Sequence, residues 1–180
     1  DHGGLVRAAV EEVVVAHGGF DVARERPSLG RQFAVEDFLL DEEDLRVSYA
    51  AGADAVLLIA SLFSAAELEF LFRRAKQLGL EPLVELHGPE DVTKVRGFAT
   101  SLVGINSRNL ETFEVDPGYP AMIRPMVDWK ARCIFESGIT CREDALFARS
   151  AGFQGVLVGE AAVRNPELVP ELVSAFGAGG

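Results

Sequence analysis

The chain alternates short apolar runs with amphipathic stretches along most of its 180 residues. Short apolar runs bounded by polar or glycine positions are typical of buried strands, whereas apolar positions spaced three and four apart are typical of helices. The pattern predicts strands and helices in strict alternation, which is the order of βα units in a parallel sheet. The strands are predicted at residues 33–39, 55–60, 82–86, 102–105, 133–135 and 155–158, and the helices at 42–50, 65–78, 89–96, 120–127, 142–150 and 166–175.

Local sequence signals mark the ends of several predicted helices. Ser64 with Glu67, and Thr140 with Glu143, have the spacing of a capping box, in which each side chain bonds the backbone N–H of the other residue. Gly79 stands where a glycine commonly ends a helix. These signals favour an α/β protein over an all-helical one, because an apolar strand follows Gly79 within a few residues.

Charge and composition narrow the classes of partner. The 17 basic and 28 acidic residues give a net charge of −11, which disfavours nucleic acid and anionic membranes. No apolar run approaches the roughly 20 residues of a membrane span. Cys133, Cys141 and the three histidines lack metal-ligand spacing, so we expect no metal site. Free cysteines are typical of a reducing compartment, so we expect the cytoplasm, or the stroma or matrix of an organelle.

A carboxylate stands within one of the apolar strands. Glu85 is the charged residue of the predicted strand 82–86. Burying a carboxylate among apolar neighbours is costly unless the group is paired or catalytic. Two interpretations stay open at this stage: an ion pair with an arginine inside the fold, or a general acid or base whose pKa is tuned by apolar walls.

Polar groups also follow the later strands, and strand ends in a parallel α/β protein converge on one mouth. Asn106 and Arg108 come directly after strand 102–105, and a second carboxylate, Glu136, ends strand 133–135. Ordinary polar turns are the alternative interpretation of each segment taken alone. Small residues that let backbone N–H groups approach an anion follow the last two strands, at Ser137, Gly138, Gly159 and Glu160.

Taken together, these segments resemble indole-3-glycerol phosphate synthase, a (β/α)8 barrel of tryptophan biosynthesis. Their order and spacing match strands three to eight of that barrel. The resemblance implies a TIM-barrel-like parallel α/β fold, here truncated to about six βα units. It also implies a carboxy-lyase without a cofactor, which closes the ring of carboxyphenylamino-deoxyribulose phosphate with loss of CO2 and water. The matching segments are 37–41, 50–59, 78–80 with 83–87, 104–116, 136–139 and 158–160.

The resemblance also implies roles for single residues of the site. Glu85 would act in the proton transfers, Asn106 would orient the substrate, and Glu136 would contact its hydroxyl groups. Arg108 would face the same mouth. The phosphate of the substrate would be bound by Ser137, Gly138, Gly159 and the backbone of Glu160.

Two departures from the family pattern lower the expected activity. The family carries a catalytic lysine, the general acid of ring closure, where this chain has Glu36. A protonated Glu36 is then the candidate acid, although a carboxylate beside the anthranilate carboxyl of the substrate suffers like-charge repulsion. The family's Glu-x-Lys and Ser-Pro-Ser motifs of the first strand are absent. A non-catalytic homologue that serves as a structural or interaction subunit is therefore the alternative function.

The N-terminal part of the chain departs most from the alternation of strands and helices. Residues 5–16 fit a helix, and 13–15 fit a strand core instead. We divide the chain into a divergent segment, 1–32, and a partial (β/α) barrel domain, 33–180. Six βα units cannot close an eight-stranded barrel and leave two sheet edges open. We expect the N-terminal segment, a partner chain or a second copy to cover these edges.

Overall fold

The computed structural model describes residues 13–16, 34–35, 41–98 and 100–177. The strands of this described part form a single sheet. The sheet consists of β1 (Val13–Ala16), β2 (Ala34–Val35), β3 (Ala55–Ile59), β4 (Glu81–Leu86), β5 (Leu102–Asn106), β6 (Arg132–Glu136) and β7 (Gly155–Val158). The helices are α1 (Glu42–Ala50), α2 (Ala65–Leu78), α3 (Pro89–Val95), α4 (Tyr119–Ile123), α5 (Arg142–Ser150), α6 (Glu160–Arg164) and α7 (Leu168–Gly177). In the described residues, none of these helices is long and apolar enough to cross a membrane.

The strand order confirms the predicted parallel α/β fold. The strands lie in the order β1-β7-β6-β5-β4-β3-β2, and every pair from β2 to β7 is parallel. Consecutive βα units that place each new strand beside the previous one are the arrangement of a TIM barrel. β1 differs, because it runs antiparallel to β7 with Val13 opposite Val158. It therefore covers the outer edge of β7.

Most element predictions are confirmed to within two residues, and the differences have local causes. The helix predicted at 120–127 ends at Ile123 and continues as a 3-10 turn, Arg124–Met126, which contains Pro125. Proline lacks the N–H that an α-helix needs at that position. The short helix α6 was not predicted. At the N-terminus, residues 13–16 form a strand rather than a helix, while the rest of 5–16 and of 33–39 lies outside the described residues, apart from β2.

The two faces of the sheet carry different cores. Apolar side chains on one face pack against the helices, as Val56, Val84 and Phe135 do. Because side chains alternate between faces along a strand, the intervening residues form a second buried cluster on the opposite face. This inner cluster comprises Leu57, Ile59, Leu83, Leu102, Ile134 and Leu157. A polar side chain on the inner face is therefore exceptional, because its neighbours there are apolar.

The helix caps were predicted correctly in one case and displaced by a residue in the other. The Ser64 and Glu67 pair caps α2, with Ser64 N–H donating to Glu67 Oε2 at 2.9 Å. For α5 the prediction was wrong, because the N-cap is Cys141 and the acceptor is Asp144 rather than Glu143. The Asp144 carboxylate accepts from the Thr140 and Cys141 N–H groups at 2.8 and 3.1 Å. Burial raises the pKa of Asp144, but these hydrogen bonds outweigh it and lower the pKa overall.

Replacing Asp144 with alanine should lower the free energy of unfolding by about 1 kcal/mol at neutral pH, the usual cost of a lost cap. Since the folded state lowers the pKa of Asp144, its stabilisation is present above the ordinary aspartate pKa and is lost as the pH falls through the folded value. Urea denaturation at several pH values should therefore show the mutant and wild type converging in acid. The control is Asp128→Ala, which removes an exposed ion pair with Arg96 and should cost only about 0.5 kcal/mol. A penalty for Asp144→Ala that stays constant down to acidic pH would contradict the assignment.

Candidate active site

Three polar side chains from adjacent strands meet on the inner face at the carboxyl ends of β4, β5 and β6. Glu85 stands in register with Gly104 on β5, and Asn106 stands in register with Glu136 on β6. Asn106 Nδ2 donates to Glu85 Oε1 at 3.2 Å. Two carboxyl groups and an amide thus lie together on the same face of the sheet as the inner apolar cluster. Of the residues predicted for the site, these three lie together.

Glu85 is buried, with 4% of its surface exposed, yet its surroundings favour the ionised form. Burial raises its pKa, but the neighbouring side chains of His87, Glu136 and Asn106 together outweigh that effect and lower the pKa of Glu85 below its usual range. The closest nitrogen is Nε2 of His87, 2.9 Å from Oε1 of Glu85. Among the described residues no arginine pairs with Glu85, whose neighbours there are a histidine, an amide and a second carboxyl group.

Glu136 lies across the backbone of β5 and owes its position to a glycine. A Cβ atom at Gly104 would overlap Oε1 of Glu136, so the absence of a side chain there makes room for the carboxyl group. Glu136 is 1% exposed. Its side chain is among the neighbours that lower the pKa of Glu85.

The loop after β5 is hydrogen-bonded to two residues of the site, Glu136 and Asn106. Ser107 N–H donates to the Glu136 carbonyl oxygen at 2.9 Å, and Arg108 N–H donates to Asn106 Oδ1 at 2.9 Å. The Arg108 guanidinium donates to the carbonyl oxygen of Phe113 at 3.2 Å, within the same loop. The backbone of Arg108 therefore orients Asn106, while its side chain closes the loop.

The residues expected to bind phosphate follow β6 and β7. Ser137 and Gly138 form a turn with positive φ angles of 65° and 74°. Gly138 packs against the loop after β5, since a Cβ there would lie 2.8 Å from Cγ1 of Val115. Gly159 is the N-cap of α6, whose first residue is Glu160. Glu36 lies outside the described residues.

Two residues of the site were missed by reading the sequence. No role was predicted for His87, which stands two positions after Glu85 and contacts it. The period-two alternation of a strand was the available signal, because residues 85 and 87 share a face. The role of Gly104 was also missed, since it depends on which residue of β6 lies beside it. Among the described residues, no group of three or more His, Cys, Asp or Glu is placed to hold a metal ion.

Comparison with known proteins shows the family to which the chain belongs. A family model described as indole-3-glycerol phosphate synthase matches residues 14–173 of the chain. The chain belongs to this family. It is 41% identical over 148 residues to the indole-3-glycerol phosphate synthase of Desulforamulus reducens, and 36% identical over 152 residues to that of Rhodopirellula baltica. These matches cover 80% and 84% of the chain but 56% and 59% of the relatives, so the chain spans a little over half of their length.

Solved structures support the fold assignment. The chain resembles 3-hexulose-6-phosphate synthase from Salmonella typhimurium, with a TM-score of 0.69 and 16% identity over 81% of this chain and 73% of that chain. It also resembles a mandelate oxidase mutant, with a TM-score of 0.60 and 17% identity over 82% of this chain and 58% of that chain. At such identities the likeness concerns the fold alone, whereas the link to indole-3-glycerol phosphate synthase comes from the sequence.

Proposed function

We propose that the site formed by Glu85, Asn106 and Glu136 is that of an indole-3-glycerol phosphate synthase-like carboxy-lyase. The observation that carries the proposal is the meeting of these three side chains at the carboxyl ends of adjacent strands, in a chain of this family. The substrate would be carboxyphenylamino-deoxyribulose phosphate, and the products would be indole-3-glycerol phosphate, CO2 and water. The family membership supports the reaction class, and the geometry supports the residues.

The paired carboxyl groups suit the proton transfers of this reaction. Ring closure turns the substrate carbonyl into a hydroxyl group, which requires a proton donor. The hydroxyl later leaves as water while a neighbouring C–H proton is removed, which requires a donor and an acceptor. Glu85, whose surroundings favour the ionised form, would supply the acceptor, and Glu136 would contact the substrate hydroxyl groups. Asn106 is fixed by Glu85 on one side and the Arg108 backbone on the other, so it can orient the substrate.

The substrate phosphate would be bound beside this pair by the ends of β6 and β7. The Ser137-Gly138 turn follows Glu136 directly, and Gly159 precedes α6 on the next strand. In (β/α)8 enzymes the loops after the last strands commonly supply backbone N–H groups to a phosphate. The side chain of Glu160 would repel the phosphate if it faced the anion, so only its backbone would take part.

The proposal is tested by synthase turnover of the purified chain and of its Glu36→Lys variant, followed by the fluorescence of indole-3-glycerol phosphate. Lysine at this position restores the general acid that the family carries, so we expect turnover to rise by about 10²-fold, near the lower end of what general acids contribute. Glu43→Lys, the same change of charge at an exposed position of α1, is the control and should leave turnover unchanged. Absence of turnover in both the wild type and Glu36→Lys would refute the lyase.

A second candidate function is a non-catalytic homologue that acts as a structural or interaction subunit. It is favoured by Glu36, which stands where the family carries the catalytic lysine. Calorimetric titration with indole-3-glycerol phosphate separates the two candidates. Tight binding that is weakened by substitution of Ser137 favours a working site, whereas no binding together with stable association of copies or partner chains favours the subunit.

A further inference from the structure

We propose that Val115 is a positioning residue: it packs against Gly138 and thereby holds Ser137 in the left-handed conformation of the turn after β6. The inference deepens the proposed function, because it names a residue on which phosphate binding by that turn depends, and it rests on that function for its meaning in binding. The contact itself is independent of the reaction. It joins the loop after β5, residues 107–117, to the two residues that follow Glu136.

Ser137 has a backbone conformation that serine rarely adopts. Its φ is 65°, and the φ of the next residue, Gly138, is 74°. Glycine adopts such angles freely, whereas a Cβ atom in the left-handed region crowds the following carbonyl oxygen. Among the described residues other than glycine, the second one with a positive φ is Phe113, which lies in the loop after β5. A conformation of this cost persists only where the surrounding structure imposes it.

The loop after β5 holds the backbone on both sides of Ser137. On one side, Ser107 N–H donates to the carbonyl oxygen of Glu136 at 2.9 Å. On the other side, a Cβ at Gly138 would lie 2.8 Å from Cγ1 of Val115 and 3.2 Å from Oγ of Ser107. Oγ of Ser107 is buried and has no hydrogen-bond partner within the described residues, so its contact with Gly138 is one of packing. Two side chains of this loop therefore pack against Gly138, and Val115 is the closer of them.

The loop is itself held by pairing between its two arms. Asp116 N–H donates to the carbonyl oxygen of Ser107 at 3.0 Å, and Val115 pairs antiparallel with Arg108. At the start of the loop, Arg108 N–H donates to Oδ1 of Asn106 at 2.9 Å. The side chain expected to orient the substrate and the turn expected to bind its phosphate thus share one support. A loop that is fixed in this way can impose a conformation on the turn beside it.

The first test is conformational and needs no ligand. The measurement is the NOE between the amide and α protons of Ser137, which is strong at positive φ because the two protons are then closest. Val115→Ala removes the methyl groups that pack against Gly138, so the NOE should weaken as Ser137 moves to negative φ. Val115→Thr keeps the shape of valine, and at 38% exposure its hydroxyl group can reach water, so the NOE should be unchanged.

Val47→Ala is the control for this test. It makes the same truncation at an exposed position of α1 and should leave the NOE of Ser137 as strong as in the wild type. An undiminished NOE in Val115→Ala, or an equal loss in Val115→Thr, would overturn the inference.

The second test connects the conformation of Ser137 to ligand binding. Indole-3-glycerol phosphate is titrated calorimetrically into the wild type, Val115→Ala, Ser137→Gly and the double variant. Glycine adopts the left-handed conformation without support, so the effect of Val115→Ala should be confined to the chain with Ser137. We expect the Kd to rise about tenfold there, which is the order of the steric cost at Ser137, and by less than about twofold with glycine. Equal losses in both backgrounds would overturn the role of Val115.

The two tests separate this inference from the proposed function. A weaker NOE in Val115→Ala, in a chain whose wild type binds no indole-3-glycerol phosphate, would retain the positioning of Ser137 and refute the phosphate site. Binding and turnover by the wild type, with an NOE that Val115→Ala leaves unchanged, would retain the lyase and overturn the role of Val115.

Discussion

Replacing Glu85 with glutamine should lower kcat/KM by about 10³–10⁴-fold, in the upper part of the range for a lost acid or base. Glutamine has nearly the size of glutamate, and its oxygen can still accept from Asn106, so the fold should stay intact. It cannot take up a proton, which is the property that the proposed mechanism uses. The measurement is turnover in whichever of the wild type or Glu36→Lys is active, together with thermal unfolding to verify folding.

Glu81→Gln is the control for this change. Glu81 begins the same strand, but its carboxylate bonds Lys76 at 2.6 Å and Ser101 at 2.9 Å, away from the carboxyl end of the strand. Removing the Glu81 carboxylate should change kcat/KM by no more than about twofold relative to the parent chain, because an exposed ion pair contributes little to stability. Equal losses for Glu81→Gln and Glu85→Gln would show that charge on β4, rather than the position of Glu85, matters. Near-wild-type turnover of Glu85→Gln would remove this residue from the reaction.

Gly104→Ala should displace Glu136 and destabilise the chain by about 1–3 kcal/mol, the usual cost of overpacking a core. The added Cβ would overlap Oε1 of Glu136, and the carboxyl group would have to leave its place beside Glu85. Two measurements check this: the free energy of unfolding in urea, and the NMR titration midpoint of Glu85. The midpoint should change because the Glu136 side chain, which helps to lower the pKa of Glu85, is moved.

Gly97→Ala provides a matched glycine substitution. Gly97 is exposed, its φ lies outside the left-handed region, and a Cβ there would meet no atom within 4 Å. It should therefore be neutral or stabilise slightly, by up to about 1 kcal/mol, because alanine restricts the unfolded chain more than glycine does. Equal stability and equal Glu85 titration in the two alanine variants would show that Glu136 does not depend on the bare backbone at Gly104.

The fold could be predicted from the sequence wherever local pattern and buried structure coincide. Strands such as β3 and β7 are short apolar runs, and their period and length fix them without any knowledge of neighbours. α4 was overestimated because Pro125 stands inside an otherwise helical pattern. The antiparallel direction of β1 could not be predicted, since an isolated run of valines carries no information about its partner strand.

For the site, the sequence predicted which side chains are present but not what they touch. Glu85, Asn106 and Glu136 were found because strand ends converge in parallel folds. The contact of His87 with Glu85, and the space that Gly104 leaves for Glu136, arise from cross-strand register and rotamers. Neither is encoded within a single segment. The family and the candidate reacting groups could therefore be predicted from the sequence. The contacts between those groups are seen only in the structure.

The pairing of β1 with β7 has a consequence for the order of assembly. Each pair from β2 to β7 joins strands that are consecutive in the chain, whereas the contact of Val13 with Val158 closes a loop that contains nearly all the described residues. The conformational entropy lost on closing a loop grows with its length. Non-local strand pairs of this kind are the slow steps of folding. We therefore expect the pair of β1 and β7, which covers the edge of β7, to form after the parallel strand pairs of the described sheet.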